Sequence, residues 1–170
     1  MKYYFLAGEA SGDLLASGLV RALNAQDPEF TAKGWGGDLM KEAGVAISRH
    51  IKDLAFMGFA EVLLNLGTIL SNFRRCNQEI IDYKPDAVIL IDYPGFNMKI
   101  AKYSKRLGIK TFYYVSPSVW AWKKKRMFEL RDVSDRLFVI LPFEKEFYAK
   151  EGIEVDYFGH PLMDQIDAYY

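Results

Sequence analysis

Residues 87–91 read Ala-Val-Ile-Leu-Ile, five apolar side chains in a row with no polar alternation. A strand with one wet face alternates. A strand buried on both faces does not, and such strands belong to parallel sheets sandwiched between helices. Lys84-Pro85-Asp86 before the run ends a helical pattern, and Asp92-Tyr93-Pro94-Gly95-Phe96-Asn97 after it is a loop. A chain with such a run is committed to a layered α/β architecture, provided the same pattern recurs.

It does recur. Tyr3–Ala7 is a second short apolar run, followed by the turn Gly8-Glu9-Ala10-Ser11-Gly12-Asp13. Leu14, Leu15, Leu19, Val20 and Leu23 then repeat at helical spacing to about Gln26, where Asp27-Pro28 stops them. Asp13 is placed to cap that helix. The pattern next predicts a strand over 30–35 closed by Gly36-Gly37, a short helix capped by Asp38 and ended at Gly44, and a weak strand over 45–47. A long helical region follows over 54–83, loosened at Gly58 and Gly67. After the run at 87–91 come a helix to Leu107, a strand over 110–115, a helix from Trp120 to about Val133, a strand over 136–141, a helix over 143–150 and a strand over 155–158. There is no internal repeat and no linker. The alternation predicts an α/β, Rossmann-like, doubly wound parallel sheet with helices on both faces.

Composition narrows the class. Lys and Arg number 22 against 22 Asp and Glu, so the chain lacks the net basic field of a general nucleic-acid binder. One cysteine, Cys76, excludes an internal disulfide framework and a multi-cysteine zinc site; it reads as a helix residue without catalytic importance. Two histidines, His50 and His160, argue against a histidine-rich metal site. The apolar run at 3–7 is too short for a signal-peptide core, and no stretch reaches the roughly 18 uncharged apolar residues of a membrane span. A cytosolic protein that touches a membrane surface fits these limits. Aromatics make up 15% of the chain, so either the core is ring-rich or rings face a ligand, a partner or lipid.

In doubly wound sheets ligands sit beyond the C-terminal ends of the strands. The polar, Gly/Pro-rich blocks GEASGD, DYPGFN, SPSVWAW and GHPL all fall there. GEASGD is neither of the standard phosphate-binding glycine motifs, and Glu9 repels a phosphate. Glu9 and Ser11 suit a sugar-hydroxyl site, or else form an ordinary strand-to-helix turn. Asp92 directly follows the apolar strand, so it is either a general base at the mouth of the sheet or a turn cap. Asn97 either caps the next helix or binds a substrate oxygen. Trp120-Ala121-Trp122 beside Lys123–Arg126 reads as a phosphate or nucleic-acid contact, a basic membrane anchor, or one core indole beside a solvated helix face. The stretch 54–73 is either a buried helix pair or a surface that takes acyl chains. His160 is an acid–base group, a phosphate ligand or a structural histidine.

Taken together, GEASGD, GWGGDLM, FMGFAEVL, KPDAVILIDYPGFN, YYVSPSVWAW, LPFEKEFY and GHPLMD resemble the lipid-A-disaccharide synthase family, in the family's order and along essentially the whole chain. The resemblance implies an inverting, metal-independent glycosyltransferase of the two-domain GT-B type. It implies transfer from UDP-2,3-diacylglucosamine to 2,3-diacylglucosamine 1-phosphate (lipid X) at the cytoplasmic face of the bacterial inner membrane, with no cofactor. Asp92 is then the base for the acceptor's 6-hydroxyl. Glu9, Ser11 and Asn97 hold sugar hydroxyls, and Ser116, Trp120 and Trp122 line the cleft. Arg126 meets a phosphate or headgroup, and Glu144 and His160 complete the substrate ligands. Met57, Phe59, Leu63 and Leu64 touch acyl chains or membrane.

Two departures stand out. Gly95 occupies a position where the family commonly has a second aspartate, so a role for that carboxylate does not transfer. Family members are also about twice as long as this chain. Residues 1–170 therefore read as the N-terminal, acceptor-side domain, inactive alone, with a C-terminal UDP-binding domain absent from this chain; a homodimer of the full-length protein stays open. The competing readings are a single-domain nucleotide- or phosphate-binding module and a related UDP-sugar enzyme such as an epimerase.

Overall fold

The computed structural model describes residues 1–54, 66–118 and 125–163. Seven strands form one sheet: β1 (Lys2–Ala7), β2 (Thr31–Gly36), β3 (Val45–His50), β4 (Ala87–Ile91), β5 (Lys110–Tyr114), β6 (Arg136–Val139) and β7 (Asp156–Tyr157). Their order is β3-β2-β1-β4-β5-β6-β7, and every pairing is parallel. The helices are α1 (Ala10–Gln26), α2 (Asp38–Ala43), α3 (Leu66–Tyr83), α4 (Pro94–Arg106), α5 (Arg126–Val133) and α6 (Pro142–Ala149). The doubly wound reading holds. Chain direction along the sheet reverses between β1 and β4, which makes the gap beyond their C-terminal ends the topological switch point.

The unalternated runs are buried on both faces. Tyr4, Leu6, Val88 and Leu90 pack with α3, α4, α5 and α6. Tyr3, Phe5, Ala7, Ile89 and Ile91 face α1 and α2. The core is ring-rich: Trp35, Tyr4, Tyr113, Tyr148 and Phe5 are among its largest fully buried side chains. Phe96 of α4 is the hub, with ring centroids of Phe73, Trp35 and Tyr93 at 4.3, 5.4 and 5.7 Å. It ties α3, β2 and the loop after β4 into one stack.

Two carboxylates, buried Asp13 and partly buried Glu79, lock the winding. Asp13 does not cap α1, as its sequence position suggests. It lies inside the first turn of α1 and accepts hydrogen bonds from the main-chain N–H groups of Gly37, Leu39 and Met40 at 2.7, 3.1 and 3.0 Å. It therefore caps α2 from a neighbouring helix, satisfying donors that a short helix cannot satisfy itself. A Cβ on Gly37 would collide with this carboxylate. Asp38 is correspondingly not the cap: Gly37 is, and Asp38 bonds Lys52 instead.

Glu79 of α3 accepts from Ser48, Tyr4, Trp35 and Arg75 at 2.6, 2.8, 3.1 and 2.9 Å, which joins α3 to β1, β2 and β3. This network accompanies the extension of β3 to His50, beyond the weak strand expected at 45–47. Cys76 lies beneath Tyr4, fully buried, and burial pushes its thiol far up.

The long helical region expected over 54–83 is only partly borne out. Ile51–Asp53 is a single 3-10 turn and α3 starts at Leu66. Residues 55–65 lie outside the described residues, as do 119–124 of the helix expected from Trp120. The last two strands are shorter than expected, ending at Val139 and Tyr157.

Burial raises the Glu79 carboxyl pKa, but its four hydrogen bonds outweigh this and hold it below the usual range. A lowered folded-state pKa gives stability that is present above the unfolded value of about 4.3 and lost as pH falls through the folded value. Glu79→Gln is expected to lower unfolding free energy by about 2 kcal/mol at pH 7. Urea unfolding at pH 7 and at pH 3 checks this: the gap between the two proteins should narrow at the lower pH.

Candidate active site

The switch point is built from the loops after β1 and β4. Glu9 is the N-cap of α1 and is exposed, as is Ser11 in its first turn. The loop after β4 packs onto the first of these: a Cβ on Gly8 would run into the Tyr93 ring. Blocks GEASGD and DYPGFN, 79 or more residues apart in sequence, are thus one surface.

Asp92 is half-buried at this surface. Burial raises its carboxyl pKa, and the carboxylate of Glu9 raises it further, against a single opposing contribution from the Tyr93 main-chain N–H. Two like charges facing one cleft disfavour ionisation of the more buried one. Burial and Glu9 also raise the Tyr93 phenol.

The backbone here is strained. Asp92 and Tyr93 both adopt left-handed conformations, with φ of 43° and 46°, and Val115 at the end of β5 has φ of 64°. Such angles are uncommon for residues with a Cβ, and more so for a β-branched one. Tyr93 also precedes Pro94, a position that favours extended backbone. Strain of this kind gathers at functional sites.

Asn97 holds the turn and is a correction to both sequence readings. It is fully buried, and its Nδ2 donates to the carbonyls of Leu6, Ile91 and Asp92 at 3.3, 3.1 and 2.9 Å. It neither caps α4 nor presents its amide to a sugar. Tyr113 donates its hydroxyl to the same Asp92 carbonyl at 2.7 Å.

Ser116 and Glu144 are also corrections. The Ser116 hydroxyl is buried against that of Tyr148 at 2.9 Å. The Glu144 carboxylate, 1% exposed, accepts from the N–H groups of Ile140 and Leu141 at 3.2 and 2.9 Å. It closes the N-terminus of α6 by reaching back three residues, a capping role its sequence spacing permits. Both side chains support the site's walls rather than line the cleft.

Arg126 opens α5, half-buried, close enough to Tyr113 to oppose the strong upward shift that burial and Asp92 impose on that phenol. It belongs with the switch-point cluster. His160 does not. Its Nδ1 accepts from the Leu162 N–H at 3.2 Å, and its ring lines a shallow cavity of about 130 Å³ with Tyr114, Phe138, Asp156 and Phe158. That cavity runs along the C-terminal ends of β5, β6 and β7, and its Tyr114 stands on the strand next to β4, opposite Ile91. Trp120, Trp122, Met57, Phe59, Leu63 and Leu64 lie outside the described residues. Leu70, in the same apolar stretch, is 51% exposed. No helix among the described residues is long and apolar enough to cross a membrane.

Sequence reasoning missed Tyr113 and Tyr93. Tyr113 reads as one more apolar residue of a buried strand, and only the pairing of β4 with β5 brings its hydroxyl to Asp92. Tyr93 had a signal, since it sits between an aspartate and a proline at a strand end.

The sheet is similar to that of UDP-GlcNAc 2-epimerase from Neisseria meningitidis, solved with UDP-GlcNAc bound. The TM-score is 0.68 at 13% identity, over 96% of this chain and 48% of that one. A putative UDP-N-acetylglucosamine 2-epimerase from Listeria monocytogenes gives 0.62 at 14% identity, over 91% and 43%. These likenesses speak to the fold. At the level of sequence, lipid-A-disaccharide synthase from Trichlorobacter lovleyi is 43% identical over 163 residues, 96% of this chain and 43% of the relative. That from Pseudomonas syringae pv. tomato is 45% identical over 166 residues, 98% and 44%. The chain thus spans less than half the length of these curated relatives. The lipid-A-disaccharide synthetase family model matches residues 3–170, and the chain belongs to that family.

Proposed function

We propose that this chain is the acceptor-side, N-terminal domain of an inverting GT-B glycosyltransferase that joins UDP-2,3-diacylglucosamine to lipid X. The observation that carries the reading is Asp92. It is a half-buried carboxylate of raised pKa, held in a strained turn at the switch point of a sheet from this family. A carboxylate with raised pKa is a stronger base than an ordinary one. Asp92 takes the proton from the acceptor's 6-hydroxyl as that oxygen forms a bond to the donor's anomeric carbon. The bond from that carbon to the UDP oxygen breaks on the opposite face, so the centre inverts and UDP leaves with the bonding pair.

Glu9 and Ser11, exposed beside Asp92, contact acceptor hydroxyls. Arg126 supplies a cation on the same side for the acceptor phosphate. His160, across the sheet, serves a different part of the substrate. Met57, Phe59, Leu63 and Leu64 take acyl chains at the membrane surface, and Trp120 and Trp122 contact substrate.

A second domain completes the donor site, and two observations support it. The relatives are more than twice as long as this chain. In addition, α1 and α2 cover one face of the sheet at β1–β3, whereas over β5–β7 the same face carries Phe112, Tyr114 and Phe138 only partly buried. Phe158 at its edge is 84% exposed. Parallel sheets are ordinarily covered on both faces. A nucleotide-binding module acting alone is the alternative reading.

Four measurements test this. In the full-length protein, Asp92→Asn should lower kcat by about 10²- to 10⁴-fold; near-normal turnover removes Asp92 as base. The same substitution should stabilise the fold at neutral pH. A raised folded-state pKa means that ionising Asp92 destabilises, so the gain should fade below the ordinary carboxylate range near pH 4. Amide shifts of the 170-residue chain should respond to lipid X around Glu9 and Asp92 and little to UDP. Tight UDP binding without a lipid X response would favour the nucleotide module. Glutamate at Met57 and at Leu64 should weaken sedimentation with anionic vesicles, and unchanged partition and activity would count against those contacts.

A further inference from the structure

Asp92 is useful as a base only if its carboxylate stays aimed at the cleft, and local sequence does not secure that. Asp92 and Tyr93 are both left-handed, at φ of 43° and 46°. Each such residue is strained and persists only where surrounding structure over-determines it. The turn reverses the chain from β4 into α4, and its first carbonyl, Asp92 O, lies past the last rung that β4 shares with β5, Ile91 opposite Tyr114. That carbonyl is therefore beyond the ladder and needs partners of its own.

It has two, from different elements. Asn97 Nδ2, on α4, donates to it at 2.9 Å while also bonding Ile91 O and Leu6 O. Tyr113 Oη, on β5, donates at 2.7 Å. Both side chains are fully buried. The Tyr113 hydroxyl is informative, because phenylalanine would fill the same apolar volume. Burial and the nearby Asp92 charge keep this phenol protonated far above neutral pH, so it remains a donor throughout the working range.

We propose that Tyr113 and Asn97 are positioning residues for the transfer reaction, gripping the Asp92 main-chain carbonyl so that the strained turn presents the Asp92 carboxylate to the acceptor hydroxyl. The inference rests on the reading of Asp92 as base. The groups facing Asp92 are the Glu9 carboxylate at the start of α1, the Tyr93 N–H, and the Tyr113 hydroxyl on β5. Behind Tyr113 stand Arg126 of α5 and Tyr148 of α6. Changing Tyr113 to phenylalanine removes only the hydroxyl that bonds the Asp92 main-chain carbonyl and leaves Glu9 and the Tyr93 N–H in place, so what changes is the hold on the turn.

Asn97→Ala removes an amide that serves three carbonyls and so perturbs folding as well as the turn, which makes Tyr113→Phe in the full-length enzyme, assayed with lipid X, the decisive variant. The expected result is a loss of about 10- to 100-fold in kcat with KM within about twofold, since misplacement of a reacting group acts on the chemical step. The acid limb of the kcat–pH profile should also move down by about half a unit as the loosened carboxylate gains water. Wild-type kcat with an unmoved acid limb overturns the proposal. So does a kcat loss that comes with an unmoved limb and a matching fall in melting temperature, the pattern of a structural role alone. Should Asp92→Asn retain turnover, the base reading fails first. The grip is then judged by the carboxyl ¹³C titration of Asp92, and an unchanged midpoint in Tyr113→Phe overturns it.

Discussion

The structure depends on how two neighbouring parallel strands part company. β1 and β4 run side by side, then lead the chain to opposite edges of the sheet. They stay paired to their ends, Ala7 opposite Ile91, and the ladder between them stops there. Asn97 ties the two ends together, one amide donating to Leu6 O of β1, to Ile91 O of β4 and to Asp92 O in the turn after it. A buried carbonyl without a donor costs about 1–3 kcal/mol, so an amide serving three of them contributes to stability as well as to geometry. Everything at the mouth of the sheet is referred to this point: the left-handed Asp92 and Tyr93, the packing of Tyr93 on Gly8, and Glu9 one residue beyond.

The same economy governs the neighbouring winding. Asp13, one turn along α1, reaches sideways to cap α2, and Gly37 is small because that carboxylate lies against it. Glu79 does comparable work on the opposite face, collecting donors from β1, β2 and β3. A doubly wound sheet places its site where helices begin, and these carboxylates fix where α2 and α3 sit relative to the strands. The cleft then inherits rigid walls. Its one group of raised carboxyl pKa, among those described, is the one not consumed by such bonds.

Much of this architecture was legible in the sequence because continuous apolar runs and Gly/Pro loops have few physical readings. The strand-to-loop boundary at Ile91-Asp92 was visible for that reason, and so was the convergence of GEASGD and DYPGFN at one end of the sheet. What the sequence could not reveal is where a buried polar side chain sends its hydrogen bonds. Asn97, Ser116 and Glu144 sit in motif blocks and look like ligands, yet the Asn97 Nδ2, the Ser116 hydroxyl and the Glu144 carboxylate bond within the protein. Asp13 looked like a cap for the helix it begins and instead caps another. The Glu144 cap is local, but Asp13 to Gly37, Ser116 to Tyr148 and Asn97 to Leu6 are joined by sheet register and helix packing across 24, 32 and 91 residues, beyond the reach of any local pattern.

Gly95 sharpens the question of which carboxylate acts. It follows Pro94 at the second position of α4, is exposed, and has open space where a Cβ would stand. Packing therefore does not demand glycine, and its backbone is not in the left-handed region. An aspartate there would even gain from the α4 N-terminus, whose dipole favours a negative charge in the first turn. Its replacement by glycine removes a solvated, helix-stabilised carboxylate of ordinary basicity. What remains three residues earlier is Asp92, which lies in drier surroundings beside Glu9 and in a turn held by Asn97 and Tyr113. Proton abstraction from a sugar hydroxyl is served better by the carboxylate whose surroundings oppose its charge. On that ground the proposed reading of Asp92 as base does not require a carboxylate at position 95.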